Sequence, residues 1–339
     1  MILILSNKKD LHPTPVIEFL FKRNIPVFRL NTESLLTDYD FCWWNDCNDT
    51  HFYITNRQTG LRLDGDKLTT VWDRRPEWPS ELPINGTEAI NKHNLEEALG
   101  FLRSLRSYIA NKPSIGSIKF DGLANSKMEQ MRIALHVGLN VPKTCFSNCQ
   151  ENIISMAKQF DELVLKPIDS NGVWNEEEEQ EYVFYTQKVS SEAIMSAPKE
   201  AFTQTVSFVQ NYIPKAFELR VTVVAGKVFC CKIESQHLAD DCGRIDWRQG
   251  DGKGLKYSPY TLPDNISQKC LQFLRLMKLN FGAFDFIVTP LGEYVFLECN
   301  PNGQWLWIEL ETGLKISEAI AEALETGKGL IIQVSQVKN

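Results

Sequence analysis

Three oxygen-bearing side chains sit within or at the end of two apolar runs near the C-terminus. Asp285 interrupts Phe281-Gly282-Ala283-Phe284-Asp285-Phe286, and Glu298 and Asn300 close Val295-Phe296-Leu297-Glu298-Cys299-Asn300. Side chains alternate across a strand, so Glu298 and Asn300 are expected on one face. Asp285 faces away from Phe284 and Phe286. If the two runs are antiparallel neighbours, all three side chains converge. A few hard oxygens presented this way suit Mg²⁺, which keeps coordination places for nucleotide phosphates. A carboxylate inside an apolar run is rarely left without a partner. The chemistry indicated is ATP-dependent.

Other residues extend this pattern. Lys166 ends the apolar run Glu162-Leu163-Val164-Leu165-Lys166 and precedes a glycine-containing loop, and Lys127 falls in the first turn of an expected helix. Both placements suit an ammonium reaching phosphate oxygens. Glu218 and Arg220, in Glu218-Leu219-Arg220, share one strand face. A carboxylate there accepts from two ribose hydroxyls. The planar fork of the arginine holds a phosphoryl or carboxylate oxygen pair. Just upstream, an apolar run breaks into Gln210-Asn211-Tyr212-Ile213, a segment suited to give adenine backbone hydrogen bonds and an apolar slot.

The elements that must position these residues are legible in outline. Ile2–Leu5 and Ile25–Leu30 read as strands flanking a helix from Thr14 to Arg23, a β-α-β opening that predicts a small parallel sheet. Further strands are expected at His51–Ile54, Leu61–Leu63 and Thr69–Asp73. Thr87 to Ala110 is the most periodic helix, with Leu95, Leu99, Leu102, Leu105 and Ile109 on one stripe. A second helix is expected from an Asn125 N-cap to Val137, stopped by Gly138. Strands are expected at Tyr182–Thr186 and Thr205–Gln210, and a hairpin at Glu218–Val224 and Val228–Ile233 around Ala225-Gly226-Lys227. Helices follow at Pro263–Lys278 and Leu314–Leu324. The expected organisation is α/β (α+β), with an N-terminal unit over residues 1–120, a central unit over 121–213 and a C-terminal unit over 214–339 that carries the metal-binding strands.

The chain has 339 residues, 43% hydrophobic and 23% charged, ordinary for a globular protein. Its formal net charge of -7 argues against a nucleic-acid partner. The nine cysteines show no paired metal spacing and read as reduced cytoplasmic thiols. No apolar run approaches the ~20 residues of a membrane helix. None of the five histidines neighbours the motifs above in sequence, so no histidine base is expected, and His136 reads as a partly buried helix residue.

Taken together, Val164-Leu165-Lys166-Pro167, Gln210 to Ile213, Glu218-Leu219-Arg220, Asp285 and Glu298-Cys299-Asn300-Pro301 resemble the ATP-grasp superfamily. The resemblance covers about residues 120–325 and implies the ATP-grasp fold, preceded by a small parallel-sheet pre-ATP-grasp domain. It implies ATP and Mg²⁺ as cofactors and an acyl phosphate as intermediate. By family position Lys127 and Lys166 contact phosphates, Gln210, Asn211, Tyr212 and Ile213 form the adenine hinge, and Glu218 holds the ribose. Asp285, Glu298 and Asn300 take Mg²⁺, and Arg248 is a nucleotide-binding arginine.

Val71-Trp72-Asp73-Arg74-Arg75-Pro76, Asn125-Ser126-Lys127-Met128 and Pro301-Asn302-Gly303-Gln304-Trp305-Leu306-Trp307 narrow the resemblance to the graspetide maturases, of the microviridin type. These enzymes cyclise ribosomally made precursor peptides, joining Asp or Glu side chains to Thr, Ser or Lys. The implied partner is a precursor peptide with leader and core, and the implied assembly is a homodimer. Arg220 is the candidate catalytic residue, holding the acceptor carboxylate and steadying the oxyanion. Arg74, Arg75 and Trp305 are candidate peptide contacts, and Glu176–Glu179 a candidate leader contact. Two alternatives stand beside this one: a ligase adding a free amino acid to a carboxylate, and a non-catalytic ATP-binding protein. Amino-acid-adding ligases usually carry Asp where Glu218 stands and arginines where Glu234-Ser235-Gln236 stands, which weakens the first alternative.

Overall fold

A computed structural model describes residues 1–116, 118, 121–169, 172–175, 178–250 and 254–330. The first sheet is four-stranded and wholly parallel, in the order Val27–Asn31, Ile2–Ser6, Thr70–Asp73, Ser114–Ile115. Its central strand has no polar residue until Ser6, because both faces are covered. Period-two alternation sends Ile2 and Ile4 to one side, against Val16 and Leu20 of the helix Pro13–Lys22 and the closing helix Ile316–Thr326. Leu3 and Leu5 go to the other side, against Leu102, Leu105 and Ile109. Those three lie on the helix Glu88–Ile109, capped by the Thr87 hydroxyl, which accepts from the Ile90 N–H. A three-stranded antiparallel meander, Tyr39–Asn45, Thr50–Asn56 and Arg62–Asp64, packs into the same cluster.

The second sheet is antiparallel, ordered Gln187–Ser190, Glu162–Lys166, Ser207–Asn211, Thr144–Ser147. The helices Gln150–Ala157 and Ser191–Ser196 cover one face. The strand expected over 182–186 is instead divided: Gln180–Val183 pairs with Gly172–Asn175 as a separate hairpin, and Gln187–Ser190 joins the sheet. Of the acidic run 176–179, Glu178 and Glu179 are exposed at the turn of that hairpin, and residues 176 and 177 lie outside the described residues.

The third sheet has five antiparallel strands in the order Tyr257–Pro259, Lys227–Ile233, Phe217–Val224, Phe281–Val288, Tyr294–Asn300. Its hairpin turn places Ala225 at φ 48° and Gly226 at φ 91°, matching the right-handed twist of the flanking strands. The helices Asp264–Leu276 and Lys127–His136 bury one face of the sheet. The second of these starts one residue later than expected. Ser126 is its cap, accepting from the Glu129 N–H, while Asn125 ends the preceding short helix Asp121–Asn125. Gly138, at φ 76°, ends it. His136 is exposed, contrary to expectation, because the buried side of this helix is taken by Gln130, Met131, Ile133 and Ala134. Among the described residues no helix is long and apolar enough to cross a membrane.

Candidate functional site

The strands Phe281–Val288 and Tyr294–Asn300 are antiparallel neighbours, with Asp285 opposite Glu298 and Ala283 opposite Asn300. A bulge separates this register from the next pair, Phe286 opposite Phe296, leaving Leu297 as the extra residue. The bulge decides the site. In an unbroken strand Glu298 would share a face with Phe296, which is wholly buried in the core. The extra residue reverses the parity. Phe296 and Cys299, an odd number of residues apart, both enter the core. Glu298 and Asn300 turn to the opposite face beside Asp285, and Leu297 lines the cleft there.

That cleft, with a volume of 260 Å³, runs between the second and third sheets. Lys127, Lys166, Gln210, Asn211, Tyr212, Ile213, Glu218, Arg248, Asp285, Glu298 and Asn300 all line it. The sequence signals for phosphate, adenine, ribose and metal, spread over 174 residues from 127 to 300, therefore meet in one place. Val164, Ile168, Phe208, Ile287 and Leu297 supply an apolar wall.

The charges around the cleft are arranged in pairs. The Lys127 ammonium contacts Glu298 Oε2. Burial alone would keep the Glu298 carboxyl protonated, but Lys127, Lys166 and Arg248 outweigh it and hold the group down at about 2. Asp285 goes the other way: burial and the facing Glu298 charge raise it, against the pull of Arg220. Burial lowers the Lys166 ammonium to about 8, with Lys127 and Arg248 adding repulsion and Glu298 and Asp246 opposing it. Arg248 donates from Nε and Nη2 to the two oxygens of the buried Asp246, at 2.8 and 2.6 Å.

The donor set fits a nucleotide with Mg²⁺. Two carboxylates and an amide oxygen face one cleft, and among the described residues no cluster of three His, Cys, Asp or Glu forms an all-protein cage. Mg²⁺ is ordinarily bound this way, with phosphates completing its shell. At the far end Gln210 is fully buried. Its Nε2 donates to Thr144 Oγ1 at 3.0 Å, and Thr144 itself donates to the Pro142 carbonyl, which fixes the amide orientation. Gln210 Oε1 is left without a donor. An adenine exocyclic amine is a group of the kind that would satisfy it. Asn211 Oδ1 accepts from the Lys143 N–H at 2.8 Å, bracing the hinge.

Arg220 is placed differently from the expectation that it holds a substrate carboxylate. It stands opposite Asp285 in the sheet. Nη1 donates to both Asp285 oxygens at 2.9 and 2.8 Å, and Nη2 to the Gln304 carbonyl at 3.2 Å. These bonds orient Asp285 and the loop after Asn300.

Arg74 and Trp305, expected to touch a peptide, are instead buried, at 1% and 0% exposure. Arg74 donates to the Asn302 and Gly303 carbonyls and pairs with Asp10 at 3.3 Å. His12, missed in the sequence because 293 residues separate it from Trp305, takes the Trp305 N–H on Nε2 at 3.3 Å and meets Asp10 on Nδ1 at 2.9 Å. Asp10, Arg74 and His12 thus grip the 302–305 loop from the N-terminal sheet while Arg220 grips it from the third. Only Arg75 of the three candidate peptide contacts is exposed. With Lys9, Trp78, Trp307 and Leu310 it lines a second cleft of 960 Å³ that meets the first at Asn125 and Asn300.

Sequence reasoning also missed Lys215 and Ser235. Both hold Glu218, the lysine through Oε1 and the serine hydroxyl through Oε2. Neither belongs to a motif of its own, and only the pairing of strands brings Ser235 alongside.

The comparisons with known proteins agree with this architecture. No curated protein matches the chain. Among solved structures, macrocyclase MdnC of Microcystis aeruginosa MRC, determined with precursor peptide MdnA, is 29% identical, with a TM-score of 0.82 over 96% of this chain and 100% of that one. Macrocyclase MdnB of the same organism is 27% identical, with a TM-score of 0.75 over 96% and 99%. A RiPP-associated ATP-grasp ligase of Chryseobacterium gregarium, determined with ADP and a leader and core peptide, has a TM-score of 0.88 over 98% and 99%; at 24% identity it speaks to the fold alone. The family model described as the RimK-like ATP-grasp domain matches residues 124–324, more than half of the chain and every residue named above as lining the 260 Å³ cleft. The chain belongs to the RimK-like ATP-grasp family.

Proposed function

We propose that the protein is an ADP-forming peptide ligase that cyclises a ribosomally made precursor peptide. It joins Asp or Glu side chains of the core to Thr, Ser or Lys side chains. The observation that carries this reading is the meeting of the two clefts. The nucleotide cleft opens at Asn125 and Asn300 into a much larger one, edged by the exposed cations Lys9 and Arg75. A free amino acid needs no such groove, whereas an acidic peptide segment fills it and pairs with those cations. The kinship over whole chain lengths with macrocyclases, one of them determined with its precursor peptide, supports the same reading.

In this reading the hinge Gln210 to Ile213 takes the adenine and Glu218 the ribose. Lys127, Lys166 and Arg248 hold the phosphates, and Asp285, Glu298 and Asn300 take Mg²⁺. Held by those three side chains, Mg²⁺ would supply positive charge to neutralise what develops on the transferred group. A peptide carboxylate oxygen attacks the γ-phosphorus, the bond to ADP breaks, and an acyl phosphate forms. The peptide hydroxyl or amine then attacks the acyl carbon, phosphate departs with the bonding pair, and a proton is released. The net change in the peptide is loss of one water per ring. Holding both partners of an intramolecular reaction beside the metal ligands supplies much of the rate. Arg220 contributes by keeping Asp285 and the 302–305 loop in register.

The test is incubation of the purified protein with a short peptide encoded beside its gene, ATP and Mg²⁺, read by mass spectrometry. Loss of about 18 Da per cross-link with equimolar ADP is expected from the atom balance. An unchanged peptide, or a mass gain equal to an amino acid, refutes the proposal. The same reading makes the enzyme a cytoplasmic homodimer, which sedimentation of the purified protein checks.

A further inference from the structure

We infer that Lys215 is a positioning residue that locks Glu218 as an acceptor for the ribose hydroxyls and so makes the cleft discriminate ATP from its 2′-deoxy analogue. The inference rests on the nucleotide assignment proposed above. Lys215 is only 8% exposed and Glu218 5%. The Lys215 ammonium touches Glu218 Oε1 and donates to the Ile245 carbonyl at 2.9 Å. Ser235 donates its hydroxyl to Glu218 Oε2, and Gln236 donates to Ser235 at 3.1 Å and to the Arg244 carbonyl at 2.9 Å. Both Glu218 and Lys215 line the nucleotide cleft.

A carboxylate has about four acceptor positions. Two are filled by the Lys215 and Ser235 donors, which leaves about two for a ligand in the cleft. Burial raises the Glu218 carboxyl above the usual carboxylate range, and the Lys215 charge and the Ser235 hydroxyl limit that rise. A protonated Glu218 would present a donor where the ribose needs an acceptor. The contact with the Ile245 carbonyl also ties Glu218 to the segment carrying Asp246 and Arg248. One ammonium therefore favours the ionised form of the ribose acceptor and fixes its place.

The experiment is calorimetric titration of the full chain with ATP and with 2′-deoxy-ATP, in Mg²⁺ and without peptide. The wild type is expected to favour ATP by about tenfold, the value of a hydrogen bond to a charged acceptor. Lys215→Met is expected to reduce the preference to under about twofold at neutral pH and to regain part of it at high pH, where Glu218 ionises unaided. Lys215→Gln, which keeps a donor without the charge and is the milder change for folding, is expected to lose the preference as well. Glu218→Gln sets the floor. A tenfold preference retained in either Lys215 variant, or absent from the wild type, overturns the inference. Failure of ATP to bind the wild type overturns the nucleotide reading with it. Binding of ATP without peptide cyclisation overturns only the peptide reading.

Discussion

Gly303 is the tightest point of the candidate site and offers the sharpest test of how that site is held. A Cβ added there would lie 2.3 Å from the Ala283 Cβ, 3.0 Å from Arg220 Nη2 and 3.3 Å from the Asn300 carbonyl. Carbon atoms rest at about 3.5–4.0 Å, so more than 1 Å of overlap must be relieved. Ala283 cannot yield, because its strand is paired on both sides, with Thr222 and with Asn300. The loop must therefore move, taking the Gln304 carbonyl from Arg220 and shifting Asn300. Overpacking of this kind costs about 1–3 kcal/mol, which lowers the melting temperature by about 1–4 °C in a chain of this size. The catalytic cost is larger, because a shift near 1 Å in a positioned group costs about 100-fold in rate. Gly303→Ala should show both effects in differential scanning fluorimetry and in ADP release with the precursor peptide. Ala283→Gly added to it should restore most of kcat by removing the clashing methyl, while regaining little stability, since glycine weakens a strand by about 0.5–1 kcal/mol. A Gly303→Ala protein that melts and turns over like the wild type, or a double variant as slow as the single, refutes the argument.

Glu298→Gln keeps the shape of the cleft but removes one of the two facing carboxylates; ADP formation should fall by at least about 100-fold, with circular dichroism unchanged. Because Lys166 is lowered to about 8 by burial and by Lys127 and Arg248, its charge fades as pH rises through 8 rather than near 10.5. The value of kcat/KM for ATP should therefore decline above about pH 8, and Lys166→Arg should move the decline to higher pH; a profile flat to pH 10 in the wild type contradicts this. Arg74→Met strands the Asp10 carboxylate, 7% exposed, without its guanidinium. It should destabilise by about 3 kcal/mol, and Asp10→Asn in the same chain should return part of that loss in denaturant melts; additive losses would mean the two side chains do not interact.

Much of the site was legible before the structure. Lys166 at a strand end, the break at Gln210 to Ile213, and the pair Glu218 and Arg220 are local signals, set by alternation and by where an apolar run stops. The long helix was equally plain, because Thr87 caps it and Leu102, Leu105 and Ile109 repeat at helical spacing. The burial of Arg74 and Trp305 was not legible. Two arginines before a proline, and two tryptophans after a metal strand, carry no local mark that tells a groove wall from a core. Their contacts span 228 and 293 residues, so only the packing of the N-terminal sheet against the 302–305 loop decides them. Ser235 was missed for the same reason, being brought beside Glu218 only by strand pairing, whereas Lys215, three residues before Glu218, carries no local mark of being buried.

The sequence by itself determined which residue types the site contains, two carboxylates and an amide at strand positions, lysines at a strand end and a helix start. It also determined the family in which such a set occurs. Tertiary structure alone decided that the three oxygens face one way. Strict alternation turns Glu298 into the core beside Phe296. The bulge at Leu297 reverses that, placing Phe296 and Cys299 in the apolar core while Asp285 and Glu298, which an apolar core cannot hold unpaired, turn to the polar cleft. That requirement belongs to two strands and the core beneath them, and neither strand states it alone.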